Sequence, residues 1–282
     1  NDQIRRDSAL QDAFGQVFRE PYPALPQPEA WFRPSYVNAD GFNKLHRRHK
    51  SVLLTSVIPN DKRTNRLAAN HVFSQGELQE MTNTNGISIR HKWDVHSEPQ
   101  LMMMVTAPSR EIMRDSLPYY ADEIRKWFNK QENRAMRKRV FSGGTKTALV
   151  SQLKNELDYY FLLPMGYEKE MTYFDEAPGN KLKANDLDHF AWYSLATNET
   201  VQNVMTYTTP FDDSLMTKQG LMRTRNQVTK AFVRGTNDDS YAAIEDRYTD
   251  VPLDFEETAI NDQQVYVLKG LWRMKNDFMG GP

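Results

Sequence analysis

Ile87-Ser88-Ile89-Arg90-His91-Lys92-Trp93-Asp94-Val95, followed after Glu98-Pro99 by Leu101-Met102-Met103-Met104-Val105-Thr106, is the stretch that decides the fold class. In the first run apolar and polar residues alternate with a period of two, as a strand with one wet face requires. The second run is apolar at nearly every position, which suits a strand central in a sheet and covered on both faces. Pro108 then opens a helix, because the first helical turn has no use for the amide proton that proline lacks. A hairpin running into a helix points to an α+β fold.

Upstream, Ser51-Val52-Leu53-Leu54-Thr55-Ser56-Val57 reads as a buried strand, and Leu10, Phe14, Val17 and Phe18 form one stripe of a helix over 4–19. Four prolines fall within Pro21–Pro28, so that segment is extended: a stiff surface connection, with polyproline docking as the alternative. Downstream, Ile112, Tyr120, Ile124, Trp127 and Phe128 mark the inner face of a helical segment that Pro118 must kink or restart.

The second half repeats the pattern. Gly143-Gly144 ends one helix, Thr145 can cap the next, and Leu149, Leu153, Leu157 and Phe161 follow at four-residue intervals. Strands are expected over 165–174, 188–196 and 201–208. Thr209-Pro210-Phe211-Asp212 then predicts a helix with Thr209 and Asp212 at capping-box spacing and Phe211, Leu215 and Met222 along its apolar edge. Two last strands are expected over 253–260 and 264–273. Laid over each other, the halves predict two related lobes, 1–141 and 142–282, each a ferredoxin-like split βαββαβ unit with mostly antiparallel strands, produced by internal duplication.

Composition narrows the function classes. The 282 residues include no cysteine, which removes disulfides, thiol nucleophiles and cysteine-ligated metals. A net charge of −1 speaks against a nucleic-acid partner. That balance is uneven, with 22 basic against 16 acidic residues in 1–141 and 14 against 21 in 142–282. No apolar run reaches the roughly 18 residues of a membrane span.

No stretch spells out a reaction, so the catalytic residues stay unknown. His46 and His49 are three apart beside Lys44, Arg47, Arg48 and Lys50, and four flanking cations oppose a metal dication. A basic patch for phosphate or an acidic partner is a better reading than a metal, and a solvated, charged helix end is the default. His91 shares the apolar face of its strand with Ile89 and Trp93 and reads as a core histidine. Asp188-His189 is half of a general-base arrangement without a nucleophile elbow. The carboxylate pairs Asp175-Glu176, Asp212-Asp213, Asp238-Asp239 and Glu256-Glu257 have no spacing that identifies a hydrolase. No Walker A loop and no dinucleotide fingerprint occur, so neither a cofactor nor a metal is expected. The candidate binding set is Trp31, Phe32, Tyr36, Arg47, Arg48 and His49, aromatic planes beside cations, which suit a peptide or glycan on this segment or in a cleft between lobes.

Three patches carry a resemblance: Pro23-Ala24-Leu25-Pro26-Gln27-Pro28-Glu29, Phe42-Asn43-Lys44-Leu45-His46-Arg47-Arg48-His49-Lys50, and Gly270-Leu271-Trp272 with Phe278-Met279-Gly280-Gly281-Pro282. Together they resemble domain-of-unknown-function family 4837, a set of bacterial lipoproteins, over nearly the whole chain. The resemblance implies the mature part of a lipid-anchored protein of the cell envelope, its anchoring cysteine removed with the signal. It implies no catalytic residues. The function expected is therefore a non-enzymatic binding or scaffolding lipoprotein of the bacterial envelope, with an envelope protein, peptide or glycan as partner. An envelope hydrolase and a structural subunit of an envelope assembly are the alternatives.

Overall fold

The computed structural model of the chain describes residues 8–22, 27–57, 64, 67–68, 71–156, 161–173, 189–198, 200–237, 239–247 and 253–281. Its contacts divide the described residues into two units, one drawn from 1–21 and 29–144 and the other from 22–28 and 145–282.

The first unit holds α1 (Ser8–Phe18), α2 (Lys44–Arg47), β1 (Ser51–Val57), α3 (Gln75–Thr82), β2 (Ser88–Trp93), β3 (Leu101–Ala107), α4 (Arg110–Ser116) and α5 (Ala121–Val140). β3 is the centre of a three-stranded sheet in the order β1-β3-β2. All seven of its residues are buried, as a strand apolar on both faces must be. Leu101, Met103 and Val105 face one core with Leu10, Phe14 and Val17 of α1 and Ile124 and Phe128 of α5. Met102 and Met104 face the other core, with Val52, Phe73, Leu78 and Met81. The sheet is thus sandwiched between α1, α4 and α5 on one side and α3 on the other.

The β2–β3 pair is the antiparallel hairpin that the alternation predicts, with Trp93 opposite Leu101. β1 pairs with β3 in parallel, from Ser51 opposite Leu101 to Val57 opposite Ala107. Pro118 does interrupt the helical segment: α4 stops at Ser116, a 3-10 turn covers Leu117–Tyr120, and α5 restarts at Ala121.

The second unit holds α6 (Thr147–Glu156), β4 (Glu168–Tyr173), β5 (His189–Ala196), β6 (Val201–Thr208), α7 (Lys218–Phe232), β7 (Tyr241–Ile244), β8 (Asp254–Ile260), β9 (Gln263–Lys269), β10 (Trp272–Lys275) and β11 (Gly280–Gly281). β4-β5-β6 is an antiparallel meander. One face of it packs Tyr193 and Ala191 with Leu163 and Tyr167, and the other stacks Phe190 on Phe232 of α7 at 3.9 Å and 7°. Asn226 and Arg225 of α7 hold β7, Asn226 Oδ1 accepting from Ile244 N at 2.9 Å and Arg225 Nη1 donating to the Ala242 carbonyl at 2.8 Å.

The α+β class with mostly antiparallel sheets is what the sequence predicts. The ferredoxin-like duplication is not confirmed. Among the described residues the sheets have three, three, three and two strands, and the first unit contains a parallel pair that the second lacks. The helix expected at Thr209 begins later. Asp212 caps a 3-10 turn over Asp213–Met216, and Thr217 caps α7, its hydroxyl accepting from Gly220 N at 3.0 Å. Gly270 divides the strand expected over 264–273 into β9 and β10. Pro23 and Pro26 of the proline-rich stretch, residues 4–7 of the first helix and Leu157 lie outside the described residues.

Candidate functional site

A cavity of about 430 Å³ lies within the first unit, against β1, the edge strand of its sheet. Its walls come from α1, the segment 32–39, the 42–55 stretch and α5. The apolar lining includes Phe18, Phe32, Phe42, Leu53 and Phe128. These rings are already ordered against one another: Phe32 meets Phe18 edge-on at 6.1 Å and Phe128 at 5.9 Å, and Phe18 meets Phe128 at 5.5 Å. Edge-to-face pairs put the positive ring edge on the negative ring face, so these rings are held in place by their own packing.

The polar part of the lining includes Arg33, Asn38, His46, His49, Lys50 and Glu132. Asn43 caps α2, accepting from Leu45 N at 2.9 Å, and His46 completes the capping box while stacking on Phe42 at 6.1 Å. Lys50 donates to Glu132 of α5 at 2.6 Å, and Ser51 adds a hydroxyl contact to the same carboxylate at 3.3 Å. Arg33 lines the cavity, is exposed, and has no ion pair among the described residues. A lining that is mainly apolar, with polar groups set into it and Arg33 without an ion pair among the described residues, can hold an apolar body bearing an anionic group.

Of the six binding residues expected from the sequence, Phe32, Tyr36 and His49 line this cavity. Trp31 lies beside Phe32, 6.4 Å between rings, and does not line it. Arg47 and Arg48 also do not: α2 ends at Arg47, and the turn that follows directs the chain into β1. Arg48 is exposed, and its carbonyl accepts from Ser97 Oγ at 2.9 Å. Sequence reasoning missed Phe42, Phe128 and Arg33, which belong to three separate segments and share no motif.

Arg47 points instead into a second cluster. Its Nη1 lies 3.2 and 3.4 Å from the two ring nitrogens of His71, and the His71 ring stands edge-on to His96 at 6.1 Å. Burial, then the neighbouring His71, Arg47 and Arg48 side chains, hold the His96 imidazole below its ordinary pKa. Two buried atoms here, Arg47 Nε and His96 Nε2, have no hydrogen-bond partner among the described residues. Beneath them Gln100 is fully buried, its amide donating to the carbonyls of Arg47 and His49 at 2.6 and 2.7 Å and accepting from His96 N at 2.8 Å.

Asp94 does not pair with His96. It accepts from Arg134 at 2.6 Å and from Gln100 N at 2.8 Å, and the arginine holds its carboxyl below the usual carboxylate range. His91 packs on Trp127 at 3.9 Å, and burial lowers its pKa, consistent with a core histidine. Among the described residues no three His, Asp or Glu side chains converge as a metal site needs. Asp175-Glu176, Asp188 and Asp238 lie outside the described residues, as does the His189 side chain. Asp212 serves as a cap, accepting from Ser214 N at 2.7 Å, and Glu257 accepts from Gln264 at 2.6 Å.

Residues 2–141 match the family model of a domain of unknown function, DUF8532, and residues 147–282 that of a second, DUF4837. No curated protein and no solved structure matches the chain. The resemblance seen in the sequence is therefore confined in extent. Its third patch, from Gly270 onward, lies in the DUF4837 match, whereas the patches at 23–29 and 42–50 lie in the DUF8532 match. The cavity and the Arg47 cluster accordingly belong to the DUF8532 segment. The C-terminal part of the chain, residues 147–282, is thus similar to the DUF4837 family, the match covering a little under half of the chain.

Proposed function

We propose that this protein is a non-enzymatic binding protein of the bacterial cell envelope, whose first unit receives a small ligand with an apolar body and an anionic end. The observation that carries the reading is the 430 Å³ cavity lined by Phe18, Phe32, Phe42, Leu53 and Phe128 with the unpaired Arg33 beside it. Pockets that enclose a small organic ligand run from roughly 300 to 1,000 Å³, and their specificity comes from a few polar groups on an apolar wall. The apolar wall is the larger part of the lining, so an apolar acid suits it better than a sugar. The resemblance to envelope lipoproteins supports the location.

The test is a fluorescence titration with 1-anilinonaphthalene-8-sulfonate, whose fused rings and sulfonate match the wall and the cation. One saturable site is expected, together with weaker binding of an analogue carrying a quaternary ammonium in place of the sulfonate. Ala39 lines the cavity on the irregular 32–39 segment, so Ala39→Trp fills it without touching a strand or helix. That variant is expected to melt as the wild type does and to lose the site. Undiminished binding by Ala39→Trp refutes the reading.

A further inference from the structure

We propose that Arg47, His71 and His96 form a binding site for a single phosphate-type oxyanion, free phosphate or a soluble phosphomonoester, apart from the apolar cavity. None of the three residues lines that cavity. They come from three separate stretches of the first unit, the end of α2, residue 71 and the loop between β2 and β3, and the fold brings them to one place.

The charge here is not balanced. The acids nearest in the loop are engaged elsewhere, Asp94 with Arg134 at 2.6 Å and Glu98 with Lys138 at 3.8 Å. Arg47, Arg48, His71 and His96 have no carboxylate partner among the described residues, and a guanidinium can only donate. His71 therefore meets Arg47 as a neutral acceptor, which leaves the guanidinium charge without a counter-charge.

Two donors are also left over. Arg47 Nε is buried without a partner, and so is His96 Nε2, which donates when the proton is placed there. Buried polar groups in folded proteins are nearly always paired, so two orphans on neighbouring side chains, one of them a guanidinium, indicate a missing acceptor. An oxyanion supplies several acceptor oxygens and the counter-charge together, and a guanidinium fork beside an imidazole matches its geometry. Both residues are only half-buried, so a rotamer change of Arg47 or His71 admits the anion. Gln100, fixed to the carbonyls of Arg47 and His49, holds the backbone of the site in register.

The test is isothermal titration of the full chain with inorganic phosphate, using chloride at matched ionic strength as reference and a phosphomonoester as a second titrant. One site per chain is expected. Arg47→Gln and His96→Gln should each weaken it by about tenfold or more, the usual size of a lost charge-assisted hydrogen bond. Lys44→Gln, an exposed cation of the same helix, should leave it unchanged. Arg47→Lys keeps the charge but removes Nε, and is expected to weaken binding while the melting temperature stays that of the wild type. The proposal is overturned by any one of four results: no phosphate binding by the wild type at millimolar concentration, equal binding by Arg47→Lys, binding of vesicles containing phosphatidic acid without binding of free phosphate, or saturable zinc binding that His96→Gln abolishes. No fluorophore is used, so this outcome and that of the cavity test are independent.

Discussion

Replacing Glu245 by glutamine should make the stability of the second unit less dependent on pH, by an amount that follows from its surroundings. Glu245 follows β7 and is 6% exposed. Its carboxylate accepts from Arg247 N at 3.0 Å, Nε at 2.8 Å and Nη2 at 2.5 Å, and Arg273 Nε lies 3.4 Å away. The hydrogen bonds from Arg247 lead the causes that bring its pKa from 4.5 to about 2. At 1.36 kcal/mol per unit, a drop of that size corresponds to at most roughly 3 kcal/mol in favour of the ionised form. Arg247 is 59% exposed, so water screens the pair, and about 2 kcal/mol is the working figure.

The sign follows from linkage. The unfolded carboxyl takes up its proton near pH 4.5 and the folded one only near pH 2, so the unfolded state binds more protons between these values. The stabilisation is complete above about pH 5 and is lost as pH falls through 4.5 toward 2. Urea unfolding of wild type and Glu245→Gln at pH 7, 5, 4 and 3, followed by tryptophan fluorescence and by exchange of the Glu245 amide bonded to Leu271 O, measures it. A gap of about 2 kcal/mol is expected at pH 7, narrowing to a few tenths near pH 2.5. Comparing the two proteins cancels the other carboxylates, including Glu77, which Lys92 and Ser74 also hold at about 2. A gap that does not change with pH, or no gap at pH 7, refutes the account.

Gly220→Ala, which adds about 1 kcal/mol of stability in an unobstructed helix, should instead lower the melting temperature, because its Cβ would meet Ser214 O at 2.0 Å and Leu215 Cα at 2.8 Å. An unchanged or higher melting temperature would show that the 3-10 turn yields freely. Labelling of the full-length precursor with radioactive palmitate in a bacterial host is expected to mark the product, and an unlabelled product removes the envelope reading.

Elements with a strong local signal were legible in the sequence. The alternation from Ile87 to Val95 and the apolar run at Leu101 correspond to β2 and β3, and Pro118 does divide α4 from α5. Pairings between distant segments were not. Nothing local to Ser51 or Leu101 states that they lie side by side in parallel. After Pro210 two capping signals compete, and Thr217 begins the helix where the chain has space for it, with Gly220 packed on the preceding turn. Folding brings only part of the expected binding set together, for a similar reason. Phe32, Tyr36 and His49 reach the cavity, but Arg47 and Arg48 follow the sharp end of a four-residue helix, which no periodicity reveals. His71 and His96 are dull in sequence, and what draws notice to them is that neither has a carboxylate partner among the described residues.

The described methionines include two contrasting chemical populations. The chain has thirteen of them and no cysteine, so thioethers are its principal oxidant-sensitive sulfur. Met136, Met165 and Met279 are 51%, 56% and 64% exposed, whereas Met102, Met103 and Met104 are closed to solvent in β3. A peroxide meeting the folded protein is consumed at the surface thioethers, whose sulfoxides disturb no core and are reducible by repair enzymes. The β3 triplet is reached only when the first unit opens, and a polar sulfoxide on either face of that strand does not fit back into its core. Oxidation would thereby turn a transient opening into lasting damage, with the exposed methionines serving as a sacrificial layer for the buried ones.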